Sequence, residues 1–223
     1  MPKWFAPLFI VATVGLIAIV GALLVLPSLG GASNAPAVQE VGVPDPGLED
    51  LRIPEFSLLD QDGNEVDESV LDGEVTIVDF IFTNCPFACP GLGAAMSRLH
   101  SELEGTDVRF ASFSVDSERD TPERLRAYAQ ESLGLTGFDR WEFFTGDSEQ
   151  INRIVGEHLK FNIQIDETRT IELKDGGEMF NIAHPTRLFL IGPDRRVLSL
   201  ASFSSDAEVN AMRDRARALA AAQ

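Results

Sequence analysis

Residues 75–90 read VTIVDFIFTNCPFACP, and this stretch decides the fold. Val75, Ile77, Val78, Phe80, Ile81 and Phe82 place apolar side chains on both parities. Such a strand suits the centre of a parallel or mixed sheet, buried on both faces. The run stops at Thr83 and Asn84. Cys85 and Cys89 follow, each with a proline directly after it, and they are the chain's only 2 cysteines. Leu92, Met96 and Leu99 then recur at helical spacing, with Pro90 in the first turn. The thiols therefore sit where a central strand turns into a helix N-terminus. Free backbone N–H groups and the helix dipole favour thiolate there, the form that attacks disulfides and binds metals.

Toward the N-terminus, no charged residue occurs from Trp4 to Leu26. That run is long enough to cross a hydrocarbon core of about 30 Å and longer than the apolar region, about 7–15 residues, of a cleavable signal peptide. Residues 1–27 are expected to form an uncleaved signal-anchor helix. Ala32-Ser33-Asn34-Ala35 has the small residues of a cleavage site, but Pro36 directly after it disfavours cutting. Lys3 and the α-amino group are the only positive charges before the run, so the N-terminus stays inside. The expectation is a single-pass protein of the cell inner (cytoplasmic) membrane, with its soluble domain on the periplasmic or outer side. No cysteine follows the run in lipobox fashion, so no lipid anchor is expected. Residues 28–50, rich in Gly, Pro, Ala and Ser, read as a flexible tether, and residues 51–223 as one domain.

The formal net charge is −17, and all 35 acidic residues lie beyond the apolar run. This argues against nucleic acid, whose phosphates need a basic face. It permits steering of a basic partner, although solubility or adaptation to salt accounts for it equally well.

Along the domain, Gln61-Asp62-Gly63-Asn64 between apolar runs reads as a hairpin turn. Residues 108–115 form a second strong strand. Asp120-Thr121-Pro122-Glu123 opens a helix to about Leu133, with Asp120 as the cap. Trp141–Phe144 is a short strand, and Asp147 or Ser148 caps a helix through about Leu159. Phe161–Leu173 alternates polar and apolar residues, as a hairpin laid over the site would. Thr186–Ile191 and Val197–Ser202 are strands joined by a turn at Gly192, and Asp206–Ala222 is a closing helix. Strands alternating with helices, followed by an antiparallel pair, make a mixed sheet with helices on both faces.

Two cysteines in an exported domain default to a disulfide. One closing so short a loop adds little chain-entropy stabilisation, so the pair is read as doing chemistry. The C-x-x-x-C spacing is wider than C-x-x-C and lets both sulfurs point at a common third atom. Two thiolates suit a soft ion such as Cu(I). Of the histidines, His100 reads as a solvated side chain late in the first helix. His158 reads as a cation at a helix C-terminus. His184, in the loop entering the strand at residue 186, is the candidate third ligand.

The element order, with a thiol pair where the first buried strand meets its helix, resembles a thioredoxin-type fold, in which the loop before the later strand packs against the thiol turn. Phe82-Thr-Asn-Cys-Pro-Phe-Ala-Cys-Pro90, Val115-Asp-Ser-Glu-Arg-Asp-Thr-Pro-Glu123 and His184 ahead of Leu188-Phe-Leu-Ile resemble the Sco (SenC) proteins. The resemblance implies an α/β, thioredoxin-like mixed sheet with flanking helices, preceded by one transmembrane helix. It implies a protein that binds copper, as Cu(I) and/or Cu(II), and assists assembly of the dinuclear copper centre of cytochrome c oxidase. Cys85, Cys89 and His184 would be the ligands, with Asp116 and Asp120 as accessory residues. The partner would be the copper-bearing oxidase subunit or another copper chaperone. Two positions depart from the family pattern: Phe87 replaces an acidic residue and Pro185 replaces Ser. His184-Pro185-Thr186 resembles the cis-proline turn of redox-active thioredoxins, so a cis peptide bond is predicted before Pro185. The alternative is a membrane-tethered thiol–disulfide oxidoreductase without stable metal binding, in which Cys85 attacks, Cys89 resolves and His184 tunes the thiol. A peroxidase is disfavoured, because Thr83 stands only two residues before Cys85.

Overall fold

The computed structural model describes residues 41–173 and 176–223. Strand β3 (Thr76–Ile81) is buried at every position, as its apolar residues on both parities require. It pairs in parallel with β4 (Arg109–Ser114), which pairs in parallel with β5 (Trp141–Phe144). On its other side it pairs antiparallel with β8 (Arg187–Ile191), which pairs with β9 (Val197–Ser202), giving the order β5-β4-β3-β8-β9. A ribbon, β1 (Ser57–Leu59) with β2 (Glu65–Asp67), precedes the sheet. Its turn forms because the Asp60 carboxylate accepts from the N–H groups of Asp62 and Asn64, while Gly63 takes φ 79°.

Register explains the packing of the sheet. Phe80, Phe113 and Phe144 are direct partners across β3, β4 and β5, with ring centroids 5.7 and 5.1 Å apart along the row. Such cross-strand aromatic pairs each add about 0.5–1.5 kcal/mol beyond their area. On the other parity lies Asp79, a buried carboxylate opposite Ser112. The Ser112 hydroxyl donates to it at 2.6 Å and in turn accepts from the Trp141 indole at 2.9 Å. Burial pushes the Asp79 carboxyl up to about 7 despite that bond.

Helix α1 (Cys89–Glu102) leaves β3 through the thiol turn, and α2 (Pro122–Glu131) links β4 to β5. Helix α3 (Ser148–Asn152) is capped by Asp147 and runs on as a π-helical turn, Arg153–His158. The alternating segment is one arm of a hairpin, β6 (Gln164–Glu172) with β7 (Glu178–Ala183), separate from the main sheet. Helix α4 (Asp206–Ala220) closes the chain. Residues 41–50, placed in the tether by sequence, lie against the fold. The Arg215 guanidinium bonds the Asp45 carboxylate and the carbonyls of Val41, Val43 and Leu198, and Asp45 N–H donates to Leu198 O at 2.8 Å.

Two expectations fail here. Thr121, not Asp120, caps α2, its hydroxyl accepting from Arg124 N–H, because Asp120 is turned inward by other partners. His100 is only partly exposed rather than free in solvent; its ring lies 5.2 Å from Phe110 and 5.6 Å from Trp141, and burial lowers its pKa. Among the described residues no helix is long and apolar enough to cross a membrane, and the expected anchor over residues 1–27 lies outside them.

Candidate metal centre

The thiol turn is assembled from the end of β3. Phe82 is fully buried, and its carbonyl accepts from Cys85 N–H at 3.1 Å. Thr83 is held twice by Asp120: its N–H donates to Oδ2 at 3.0 Å and its hydroxyl to Oδ1 at 2.5 Å. Ser114, at the end of β4, donates to Asp120 Oδ2 at 2.6 Å. Asp120 thus ties the end of β3 to the end of β4 just before Cys85. It is 1 % exposed, and burial raises its pKa while the Ser114 and Thr83 bonds oppose the shift. Asn84 accepts from Arg124 at 2.9 Å, a second tie to α2.

Cys89 is the first residue of α1 and is 1 % exposed, whereas Cys85 is 9 % exposed. Both thiols are free. A hydrogen bond from Cys89 is the largest of the influences that hold the Cys85 thiol down to about 4. Burial opposes it, and His184 and the backbone N–H groups of Cys89 and Phe87 assist. Cys89 moves the other way, because it donates to Cys85 and because it is buried. The pair shares one proton, with the negative charge on the more exposed sulfur.

His184 follows β7 directly and reaches the thiols from the opposite side. Its Nε2 lies 3.7 Å from Cys89 Sγ, and its ring meets Phe82 edge-on at 5.6 Å. Nδ1 stands 2.9 Å from Pro185 O. A carbonyl only accepts, so Nδ1 carries a proton, and Nε2 is the ring nitrogen turned toward the sulfurs. The His184–Pro185 bond is not cis, since the described residues contain no cis peptide bond. The trans form is the ordinary preference of an X–Pro bond, and in it the imidazole already reaches the sulfurs.

One ligand atom each from Cys85, Cys89 and His184 falls within 4.8 Å of the others. Two donors sharing one ion at about 2.3 Å stand at most about 4.6 Å apart. The three need draw in only slightly to share an ion, and thiolate with imidazole is a donor set suited to copper. The structure thus brings together three of the five residues singled out by sequence. Asp120 supports the thiol turn through Thr83. Asp116 faces a neighbouring groove, with Arg119 on its Oδ1 at 2.9 Å. Sequence reasoning missed Asp79 and Ser114. A lone Asp inside an otherwise apolar strand was the signal for the first, and nothing local marked the second.

Residues 45–219 match the SCO1/SenC family model. The chain belongs to the SCO1/SenC family. It is 39 % identical over 145 residues to the SCO1 protein homolog of Bacillus subtilis, a match covering 64 % of this chain and 69 % of that protein. It is structurally similar to BsSco, described as having a disulfide switch and as a member of the Sco family of cytochrome c oxidase assembly proteins. That match has a TM-score of 0.62 and 29 % identity, covering 81 % of this chain and 99 % of the other. It is also similar to Arabidopsis thaliana ScoI with copper bound, with a TM-score of 0.55 and 27 % identity over 72 % of this chain and 92 % of the other. These likenesses make the fold a thioredoxin-like Sco fold, a central mixed sheet with flanking helices.

Proposed function

We propose that this chain is a membrane-anchored copper-binding protein that helps assemble the dinuclear copper centre of cytochrome c oxidase. Cys85, Cys89 and His184 are the ligands in this reading, and the receiving protein is the copper-bearing oxidase subunit or another copper chaperone. The observation that carries the reading is the convergence of two sulfurs and one imidazole nitrogen within 4.8 Å in a SCO1/SenC chain. The bound ion would supply a transferable soft centre. The chain's own residues do the rest. Pro185 O fixes the tautomer of His184, Asp120 fixes the turn ahead of Cys85, and Phe82 supports the imidazole edge-on. The anchor over residues 1–27 would hold the domain on the outer side of the cytoplasmic membrane.

The test is an anaerobic copper titration of the reduced full chain in detergent. One tightly bound copper is expected, lost in Cys85→Ser and weakened at least about tenfold in His184→Ala. Equal binding by wild type and both variants would overturn the ligand assignment.

A second reading rests on the unequal thiols. The ionised, more exposed Cys85 is the attacking sulfur of a thiol–disulfide exchange and the buried Cys89 the resolving one. Cys85 thiolate would attack a partner disulfide, forming a mixed disulfide and releasing one partner thiolate. Cys89, giving up its proton, would then attack Cys85 Sγ, closing the internal disulfide and releasing the second partner sulfur. The chain is oxidised by two electrons and the partner reduced by two. Disulfide exchange that survives His184→Ala while no copper binds would favour this reading.

A further inference from the structure

Beside the metal centre lies a groove of about 480 Å³ between the loop after β4, the Gly146–Ser148 turn and the β6–β7 hairpin. Its apolar wall is Ile163, Ile165, Met179, Phe180 and Ile182. Ile165 is 68 % and Phe180 48 % exposed, although both lie in strands and neither borders a chain end. Its polar wall contains Asp116, 3 % exposed, whose Oδ2 has no hydrogen-bond partner. Arg119 holds Oδ1 at 2.9 Å, so Oδ2 is the oxygen with capacity left for a further donor. Glu118 and Asp147 add negative charge, against Arg119 alone. An exposed apolar patch beside three carboxylates and a single guanidinium suits an apolar and cationic occupant.

We propose that this groove docks an extended basic segment of the partner protein, with a lysine or arginine side chain on Asp116 and an adjacent apolar side chain on Ile165 and Phe180. Charge selects this occupant. A second copy carries the same −17, and residues 4–40 hold no basic residue to offer. Position gives the groove its use. Ile182 on its wall is two residues before His184. Asp116 O accepts Asp120 N–H at 2.9 Å, and the Asp120 carboxylate holds Thr83, two residues before Cys85. A segment seated there touches the strand that leads into His184 and, through Asp116, Asp120 and Thr83, the turn that carries Cys85. The inference rests on the reading of that centre as one serving another protein.

The test is calorimetric titration of the full chain in detergent with a blocked nonapeptide alternating lysine and phenylalanine. Two control peptides replace lysine with glutamate or phenylalanine with serine. Copper uptake is counted on the same samples. The lysine–phenylalanine peptide should bind, the glutamate peptide should not, and the lysine–serine peptide should bind more weakly. Asp116→Asn should weaken binding at least about tenfold. Paired Ile165→Ser and Phe180→Ser, both exposed and safe for folding, should weaken it about fivefold with copper uptake unchanged. No binding, or binding indifferent to both the groove variants and the serine peptide, would overturn the inference while leaving the copper reading in place. Groove-dependent binding in a chain that takes up no copper would uphold the groove and retire the copper reading.

Discussion

The centre has two unlike halves. The thiol half is set into the core: Phe82 is fully buried, Thr83 is bonded twice to Asp120, and Cys89 opens a helix. The histidine half hangs from a two-stranded hairpin outside the main sheet, and most of β6 is exposed. Its ties to the thiol side include the Phe82–His184 ring contact, the approach of Nε2 to Cys89 and the Arg169 guanidinium 5.5 Å above Phe87. The difference teaches that the sulfurs are set into the main fold, whereas the imidazole is delivered from the end of a hairpin whose outer strand is largely exposed and which reaches the core through Ile171, Met179 and Ile182. In the proposed reading, such a centre would hold an ion with three donors and release it by yielding on one side.

Breaking each half should therefore have unequal consequences. The largest effect is expected from Asp120→Ala, which strips the partner from Thr83 N–H and from the Thr83 and Ser114 hydroxyls. Urea denaturation should show a loss of about 3 kcal/mol; a loss below about 1 kcal/mol would mean that the thiol turn is not anchored as described.

Next comes Asp79. Its folded pKa is raised to about 7 by burial, so its favourable contribution is full below the ordinary carboxylate range and is lost as pH rises through about 7. Asp79→Asn should remove that slope. Its stability relative to wild type should rise between about pH 5 and pH 8, by about 2.5 kcal/mol. Parallel denaturation curves at the two pH values would refute the assignment.

The Cys85 thiol sharpens the contrast between the sulfurs. Held down to about 4, it should react with iodoacetamide at a nearly constant rate between about pH 6 and 8, where an ordinary thiol accelerates almost tenfold per unit. Cys89 should stay unlabelled in the folded chain.

The smallest effect is expected on the exposed hairpin. Phe180→Ser should change stability by no more than about 0.5 kcal/mol. A loss comparable to that of Asp120→Ala would erase the distinction between the halves.

The same division decides what was legible in the sequence. Local patterns sufficed for the core side: apolar residues on both parities for β3, the thiol pair and Pro90 for the turn into α1, and the Asp-Gly turn of the first ribbon. The thioredoxin-like order then placed His184 opposite the cysteines. Asp120 was misassigned because Asp120 and Thr121 are both good caps. The choice was made by Thr83 and Ser114, whose approach is tertiary. Strand β7 went unread because Phe180 is an apolar side chain facing outward and Asn181 a polar one facing inward, the reverse of the usual pattern. His100 was placed wholly in solvent because the helix pattern could not show Phe110 and Trp141 packing against one side of its ring. The cis bond expected before Pro185 followed a three-residue analogy, and the imidazole reaches the sulfurs without it.

X-ray absorption at the copper edge of the copper-loaded full chain tests the central claim most directly. The account predicts a first shell of two sulfurs and one imidazole nitrogen, with the imidazole signature lost in His184→Ala and one sulfur lost in Cys85→Ser. A shell without sulfur, or one unchanged by both substitutions, would contradict it.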